Sequence, residues 1–306
     1  MKIVIGSRGS RLALWQANWV KDRLESLGHR ADILIIKTSG DKLQDASLLA
    51  SGTKGLFIKE IEEALLAGRV NLAVHSMKDL PTEQPEGLVI AAVPQRDDPR
   101  DVVISNNGQS LRDLREGARI GTGSLRRHAQ LRALRPDLEI ISMRGNVDTR
   151  LKKLDRGDCE ALVLAGAGLK RLGLASRITS WFSVSELCPA VGQGALAIEA
   201  SIKNGSVLDA IEPLDHPPTH RAIRAERAML RSLGGGCQLP IAAHTRHDGN
   251  ELRLIGVVAD PAGKRILRAS LSGAALDPET LGTRVAEELL KQGARALLNL
   301  QDPAVG

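Results

Sequence analysis

The first 95 residues alternate between short apolar runs and longer stretches in which apolar side chains recur every three or four positions. The helical spacing is clearest at Ile58, Ile61, Ala64 and Leu65. Strands are predicted at residues 2–7, 31–37, 70–75 and 88–93, and helices at residues 10–27, with Ser10 as N-cap, and after a glycine-containing loop (39–55) up to residue 66. This βα alternation predicts a mainly parallel sheet.

A polar break with two prolines, residues 94–100, separates this series from a second one. The second series predicts strands at residues 102–105, 119–121, 138–142 and 161–165, with helices that begin at Ser124 and Val147. Another break, rich in Pro and Gly, covers residues 188–194 and precedes a strand at 195–200. Two breaks around one βα block predict an inserted domain whose paired crossover segments form a hinge.

The pattern changes after Pro217, where strands precede the last helix instead of alternating with helices. A helix capped by Thr219 ends at three glycines, residues 234–236. Strands are then predicted at 241–245, 252–259 and 265–271, followed by one long helix at 277–298. The chain therefore divides into a first α/β domain (1–95 and 195–215), a second α/β domain (100–190) and a small C-terminal α+β domain (217–306).

The positive charge of the chain is concentrated in one segment and is mostly arginine. The 306 residues carry a net charge of +6, and residues 96–177 alone carry the same +6, with 14 Arg and 3 Lys against 11 acidic residues. Arginine binds carboxylate or phosphate groups bidentately, so the segment favours an anionic ligand. A codon bias toward arginine on solvated faces would leave the same composition.

Several classes of protein are disfavoured by composition. No apolar stretch approaches about 18 residues, which argues against a membrane span. Three cysteines far apart form neither a disulfide framework nor a metal-binding pair, so we expect a cytoplasmic protein without a metal site. Aromatic residues are 2% of the chain, which argues against single-stranded nucleic acid because base stacking needs aromatic platforms. A duplex binder that uses arginine alone stays open.

Two glycine-containing loops follow strands of the second series and open helices. The first, residues 121–127, combines Thr122, Ser124, Arg126 and Arg127 at a helix N-terminus, where backbone N–H groups favour an anion. It is neither a dinucleotide fingerprint nor a P-loop. The second, residues 144–150, repeats the theme, and the two loops should converge at adjacent strand ends. The alternative is an ordinary capped surface helix.

Two further segments have residues suited to catalysis. Residues 75–79 place His75, Lys78 and Asp79 at the end of an apolar strand, where ligands of α/β folds bind. Asp79 is a candidate general acid or cation stabiliser there, or it only shapes the turn before a proline. Cys237 follows the three glycines and is a candidate nucleophile or attachment point, or a small residue buried after a glycine cap.

These fragments, taken in order, resemble the porphobilinogen deaminase (hydroxymethylbilane synthase) family over nearly the whole chain. The resemblance lies in GSRGSRLA at residues 6–13, KGLF at 54–57, HSMKDLP at 75–81, DPRD at 98–101, SLRR at 124–127, RGN at 144–146, PAVGQG at 189–194, ERA at 226–228 and the GGGC loop that ends at Cys237. One departure is visible, since Gly123 stands where the family usually has serine, which puts a side-chain contact there in doubt.

The resemblance implies two periplasmic-binding-protein-like α/β domains that flank a cleft, plus the C-terminal domain. It implies a transferase of haem biosynthesis, monomeric, that joins four porphobilinogen molecules with loss of ammonia on a dipyrromethane cofactor and releases a linear tetrapyrrole. It assigns covalent cofactor attachment to Cys237 and catalysis to Asp79. Cofactor contacts fall on Lys78, Asp79, Thr122, Ser124, Arg126, Arg127 and Gly145, and substrate contacts on Arg8, Ser10, Lys54, Arg144, Arg150 and Arg171. Arg11 matches no family position.

Proteins of two other classes share part of this pattern. A two-lobed anion-binding module, such as a transport receptor or the effector domain of a regulator, would share the fold and the arginines without needing Cys237. A duplex nucleic-acid binder would share only the charge. Covalent pyrrole mass on the purified protein would distinguish the enzyme from both.

Overall fold

The computed structural model describes residues 1–39, 58–236 and 239–298, which form two compact units. The first unit contains Met1–Asp97, Lys170–Gly173 and Gly194–His220, and the second contains Asp98–Leu169, Leu174–Gln193 and Arg221–Gly306. The division into three domains stays a prediction. Of the helices in the described ranges, none combines the length and the apolar character that a membrane span requires.

The first unit is a five-stranded sheet of order β2-β1-β3-β10-β4 with a helix on each face. Its strands are β1 (Lys2–Ser7), β2 (Arg30–Ile35), β3 (Leu72–Ser76), β4 (Leu88–Ala92) and β10 (Leu196–Ser201). Helix α1 (Arg11–Ser26) packs Ala17, Val20 and Leu24 on one face. Helix α2 (Lys59–Leu66) packs Ile61, Ala64 and Leu65 on the other, as the predicted spacing requires.

The second unit contains a five-stranded sheet of order β7-β6-β8-β5-β9. Its elements are β5 (Asp101–Ser105), β6 (Arg119–Thr122), α3 (Leu125–Leu134), β7 (Glu139–Ser142), α4 (Val147–Asp155), β8 (Ala161–Ala165), α5 (Gly166–Arg171) and β9 (Ser180–Trp181). The last two residues of α5 belong to the first unit. Leu131 of α3 packs on one face of the sheet, and Leu151 and Leu154 of α4 pack on the other. The predicted fold class, α/β with two sheets of βα units and a small third sheet, is confirmed.

The third sheet is antiparallel, of order β11-β12-β13, and also lies in the second unit. After α6 (Gly205–Ile211) in the first unit, the elements are α7 (Pro217–Ser232), β11 (Ile241–Asp248), β12 (Glu251–Ala259), β13 (Ile266–Ala274), α8 (Pro278–Lys291) and α9 (Ala294–Leu297). Met229, Leu233, Val285 and Leu289 pack against this sheet in one core. The fully buried Glu226 of α7 accepts the Gly192 and Thr245 N–H groups, each at 2.8 Å.

The prediction of mainly parallel sheets was wrong in one respect. β1 pairs in parallel with β2 and β3, but β10 pairs antiparallel with both of its neighbours. β5 is likewise antiparallel to both of its neighbours in the second sheet. Each reversed strand directly follows a crossover segment. It therefore begins at the end of the sheet where the parallel strands finish.

Two predicted helix ends were also wrong. Helix α7 begins at Pro217, two residues before Thr219, because proline suits the first turn of a helix. The Thr219 hydroxyl instead accepts the Arg96 N–H at 3.1 Å. The last helix is interrupted at Gly293, whose left-handed backbone (φ 97°) separates α8 from α9.

Candidate active site

In the first unit, several predicted site residues lie at the carboxyl ends of the parallel strands of the sheet. β1 and β3 are parallel neighbours, with Gly6 opposite Ala73, so their carboxyl ends meet there. Arg8 follows β1 directly, and Lys78 and Asp79 follow β3. Arg8 and Lys78 are half-buried, and Asp79 is exposed. The sheet topology therefore brings cationic and anionic side chains to the same strand ends.

The turn that carries Asp79 is fixed through its backbone. Met77–Asp79 forms one 3₁₀ turn, and the Met77 N–H donates to the Ala195 carbonyl at 3.1 Å. Just before it, the Gln16 amide of helix α1 donates to the Ser76 hydroxyl at 2.7 Å. Among the described residues, the Asp79 carboxylate has no hydrogen-bond or ion-pair partner. It is thus an exposed carboxylate on an anchored turn, and Gln16 supports that turn although its position within a helix gave no sign of this.

Ser10 and Lys54 differ in what the structure shows of them. Ser10 is the N-cap of α1, as predicted, and its hydroxyl accepts the Ala13 N–H at 3.3 Å. Lys54 lies outside the described residues. Ser10 therefore has a local role at the helix start, beside the same strand end as Arg8.

Arg171 belongs to the first unit rather than to the arginines of the second. Its Nη2 donates to the Gly194 carbonyl at 2.6 Å, and its guanidinium lies 5.7 Å from the ring centroid of Trp15. The preceding Lys170 pairs with Asp97 at 2.6 Å. Arg171 therefore lies in the same unit as Arg8, and the other predicted arginines lie in the second unit.

In the second unit, Arg126 and Arg127 converge on the fully buried carboxylate of Asp101. Arg126 Nη1 lies 2.7 Å from Oδ2, and Arg127 Nη2 lies 2.7 Å from Oδ1. Gln193 donates to the same Oδ1 at 2.8 Å and to the Pro99 carbonyl at 2.7 Å. Burial alone would raise the pKa of Asp101, but the two guanidinium charges outweigh it and hold that pKa at about 2.

This cluster has one more positive than negative charge. Both arginines are at most 5% exposed, and one carboxylate neutralises only one of them. Arg126 Nε is buried and has no hydrogen-bond partner among the described residues. Buried cations need a counter-ion, so this arrangement suits an additional carboxylate. Sequence reasoning missed Asp101 and Gln193, since an aspartate that opens an apolar strand gives no sign of which cations it meets.

Removing the charge of Asp101 should destabilise the second unit strongly. Asp101→Asn leaves two buried guanidinium groups without their counter-ion, and breaking such a pair costs about 3–5 kcal/mol. We expect a loss of that order in the free energy of unfolding by urea. The control is Asp158→Asn, because Asp158 pairs with Arg156 on the surface and its loss should cost under about 1 kcal/mol. Equal, small losses in both variants would contradict this account of the cluster.

The two predicted anion loops are adjacent, as expected from the parallel pairing of β6 with β7. The Met143 N–H donates to the Thr122 carbonyl at 3.1 Å. A Cβ on Gly123 would lie 2.8 Å from the Met143 carbonyl oxygen, so glycine permits a close approach of the two loops. Ser124 caps α3 by accepting the Arg127 N–H at 3.4 Å, and the Ser124 N–H donates to the Thr122 hydroxyl at 3.4 Å.

The second loop presents Arg144 and Arg150 around Gly145. Gly145 adopts a φ of 109°, which other residues rarely adopt, and its carbonyl accepts Arg150 Nε at 2.8 Å. Arg144 is exposed, and within the described residues its guanidinium makes no hydrogen bond or ion pair. Arg144 is therefore the predicted arginine that is most accessible to a ligand in this unit.

Cys159 and Cys188 are free thiols at most 3% exposed. Burial raises the pKa of Cys159 to about 11 and that of Cys188 to about 12, so neither is a thiolate at neutral pH. Cys237 lies outside the described residues. The two described cysteines have the structural character that the sequence predicts for them.

Comparison with known proteins gives matches over most of the chain. The family model "Porphobilinogen deaminase, dipyromethane cofactor binding domain" matches residues 3–209, and "Porphobilinogen deaminase, C-terminal domain" matches residues 220–291. A Geobacter sp. (strain M21) protein named porphobilinogen deaminase is 52% identical over 296 residues, which cover 96% of this chain and 93% of that protein. The Pelobacter propionicus protein of the same name is 50% identical and covers 96% and 95%.

Solved structures also match, with lower similarity. A Salmonella typhimurium periplasmic binding protein with high arginine specificity is 14% identical, with a TM-score of 0.39, and covers 70% of this chain and 91% of that one.

Proposed function

Since the chain belongs to the porphobilinogen deaminase family, we propose that each of its two units supplies residues for that reaction. It is a transferase of tetrapyrrole biosynthesis that polymerises porphobilinogen with a dipyrromethane cofactor. The first unit supplies Asp79 for positive charge that develops during the reaction. The second unit supplies arginines for the carboxylates of the cofactor and the growing chain.

The observation that supports this division most is the excess positive charge in the second unit. Each pyrrole unit carries an acetate and a propionate group, so the chain gains two carboxylates with every addition. Arg126 and Arg127 present one charge that Asp101 does not neutralise, with an unpartnered buried Nε on Arg126. Exposed Arg144 and half-buried Arg150 lie in the loop next to that of Thr122 and Ser124. This donor set fits a polycarboxylate.

These residues therefore fit the dipyrromethane group, which supplies, when bound, the pyrrole carbon to which substrate is added. Arg126 and Arg127 would hold its carboxylates through charge-assisted hydrogen bonds. Thr122, Ser124, Gly145 and, from the first unit, Lys78 would make the remaining polar contacts. Arg8, Ser10, Lys54, Arg144, Arg150 and Arg171 would bind the substrate side, where more carboxylates arrive.

Asp79 would act on the cationic stages of the reaction. Loss of ammonia leaves positive charge on the porphobilinogen-derived pyrrole, and the pyrrole carbon that forms the new bond to it then releases a proton. An exposed carboxylate on an anchored turn stabilises such charge without having to reorganise, and it accepts hydrogen bonds from pyrrole N–H groups. It can also pass a proton to the departing amine.

Cys237 would attach the cofactor through a thioether. Support comes from the family resemblance and from the other two cysteines, which are buried and have pKa values raised to about 11 and 12. A thiol in that state is a poor nucleophile. Cys237 is the remaining cysteine of the chain.

Replacing Arg144 with leucine tests the carboxylate-binding role of the arginines. Arg144→Leu, and likewise Arg150→Leu, should stall elongation and leave enzyme-bound chains with fewer pyrrole units, detected by intact mass after addition of porphobilinogen. Lysine at either position should rescue only in part, because the bidentate geometry is lost. Substrate binding should also weaken with salt, since exposed charges are screened over ~10 Å at 0.1 M.

The control for this test is Arg156→Leu, because Arg156 is an exposed arginine paired with Asp158. It should elongate normally. Full activity in both the Arg144→Leu and Arg150→Leu variants would refute the assignment. Arg144 is the cleaner test, since Arg150 also donates to the Gly145 carbonyl.

We propose further that the enzyme works in the cytoplasm as a monomer and without nucleic acid. The buried, unpaired thiols of Cys159 and Cys188 suit a reducing compartment. Sedimentation of the purified enzyme at micromolar concentration tests the monomer, and a dimeric mass would contradict it.

A further inference from the structure

Three titratable side chains of the first unit meet inside the face of the sheet that helix α2 covers. His75 lies on β3 and Glu199 on β10, and the register pairs His75 with Ala197 and Glu199 with Ala73. Residues two apart on a strand share a face, so His75 and Glu199 are diagonal neighbours on one side of the sheet. Glu62 lies on α2, close enough to both for their charges to act on its pKa. The proposed mechanism uses none of the three.

The contacts in this cluster are close, and its polar atoms are under-bonded. His75 Nε2 lies 3.2 Å from Glu199 Oε2, and the side chains are 6% and 0% exposed. Glu62 Oε1, both carboxylate oxygens of Glu199 and His75 Nε2 are buried without a hydrogen-bond partner among the described residues. Within those residues, no group of three or more His, Cys, Asp or Glu is arranged to hold a metal ion.

Ionisation of Glu62 would add a negative charge beside that of the Glu199 carboxylate. Burial raises the pKa of Glu62, and the negative charge of Glu199 raises it further, to about 7, against a smaller opposing effect of His75. Near neutral pH the Glu62 side chain thus changes between its neutral form and a charge of −1.

The elements packed around Glu62 carry few other charges. β4 has no titratable side chain, β3 has only His75 and β10 has only Glu199. Lys2 of β1 is exposed and pairs with Asp32. On α2 itself, Lys59 pairs with Glu63 on the surface, and Glu60 accepts the Ser39 N–H at 2.8 Å. Among the described residues, the charges that act on Glu62 are therefore those of Glu199 and His75.

The cluster adjoins the turn of Asp79, since His75 lies on the strand that leads into that turn. His75 precedes that aspartate by four residues, which span at most about 14 Å. We propose that Glu62, His75 and Glu199 form a buried proton-binding cluster that tunes the negative potential at the end of β3, as positioning residues that act on the reaction through Asp79. This inference rests on the proposed role of Asp79. Ionised Glu62 adds negative charge to this part of the first unit and favours the cationic stages of the reaction.

The first test is the pH dependence of stability, which needs no catalysis. Because its pKa lies higher in the folded chain than in the unfolded chain, Glu62 makes folding stability fall between about pH 4.5 and pH 7. Glu62→Gln keeps the shape of the protonated side chain. In this variant the pH dependence of the free energy of unfolding should lose the contribution of one proton, measured by urea unfolding at a series of pH values. Glu63→Gln, at the exposed neighbouring position on the same helix, should leave the slope as in wild type.

The second test is the pH profile of kcat. Between pH 6 and 8.5 the kcat of the wild type should rise about threefold as Glu62 ionises. This is the order of effect that one charge has on another through a polar medium. Glu62→Gln should stay at the lower rate across that range with KM unchanged, since Glu62 does not contact substrate. Glu63→Gln should follow the wild-type profile.

An unchanged stability slope in Glu62→Gln would overturn the proton-binding cluster, and so would failure of this variant to fold, because glutamine mimics the state that the fold favours. A lost slope with an unchanged kcat profile would overturn the link to catalysis. Failure of the proposed role of Asp79 would give a different result. Asp79→Asn would then retain turnover, while Glu62→Gln would still lose the pH dependence of stability.

Discussion

Cys237→Ser should be purified without a thioether-linked pyrrole adduct and should form essentially no linear tetrapyrrole. A serine hydroxyl is a far weaker nucleophile than a thiolate near neutral pH, so the attachment bond would not form. Intact mass of the wild type should show an adduct of two linked pyrrole rings, mapped by digestion to the peptide that holds Cys237. Added porphobilinogen should then give a ladder of heavier species with equal spacing.

Cys159→Ser and Cys188→Ser are the matched controls, because each removes one buried thiol of raised pKa. Both should keep the adduct and the ladder. An unmodified wild-type protein with full activity would overturn the assignment of Cys237, and so would an adduct that maps to another residue.

Asp79→Asn should fold like the wild type and lose turnover by at least the order of 10²–10³, the effect of removing one preorganised electrostatic contact from an active site. Asparagine keeps the size of the side chain, and the turn is held by the backbone bond from Met77 to Ala195 rather than by the carboxylate. The loss should therefore appear in kcat, measured by single-turnover consumption of porphobilinogen, with an unchanged free energy of unfolding.

The control for Asp79 is Glu86→Gln. It removes an exposed carboxylate from the same segment of the chain, between β3 and β4. It should leave turnover unchanged. If Asp79→Asn kept near wild-type turnover, Asp79 would only shape the turn before Pro81, which is the alternative that its position also allows.

Local chemistry made several features predictable. Ser10 and Ser124 were predicted at helix starts, and both cap their helices, because an N-cap needs only the first turn that follows it. The spacing of Ile61, Ala64 and Leu65 predicted the buried face of α2 for the same reason. Adjacent anion loops followed from the parallel strands before them.

Features that depend on distant parts of the chain were not predictable in this way. The direction of β10 and β5 is set by where the chain re-enters each sheet, which no local pattern encodes. Asp101 and Glu199 each lie in an apolar strand, and nothing near them in sequence shows that they meet arginines or an imidazole. Arg126 and Arg127 were predicted as ligand contacts, but their pairing with a buried carboxylate required the fold.

The late position of β10 in the chain has a consequence for folding during synthesis on the ribosome. Among the described strands, β4 bonds only to β10, so it has no such partner until the chain is about 110 residues longer. At ordinary elongation rates this delay is about 5–20 s. All five strands of the second sheet, β5 to β9, emerge in that interval. The second sheet can therefore form before the first sheet is complete. Until β10 has been synthesised, the first sheet lacks that strand and β4 stays unpaired.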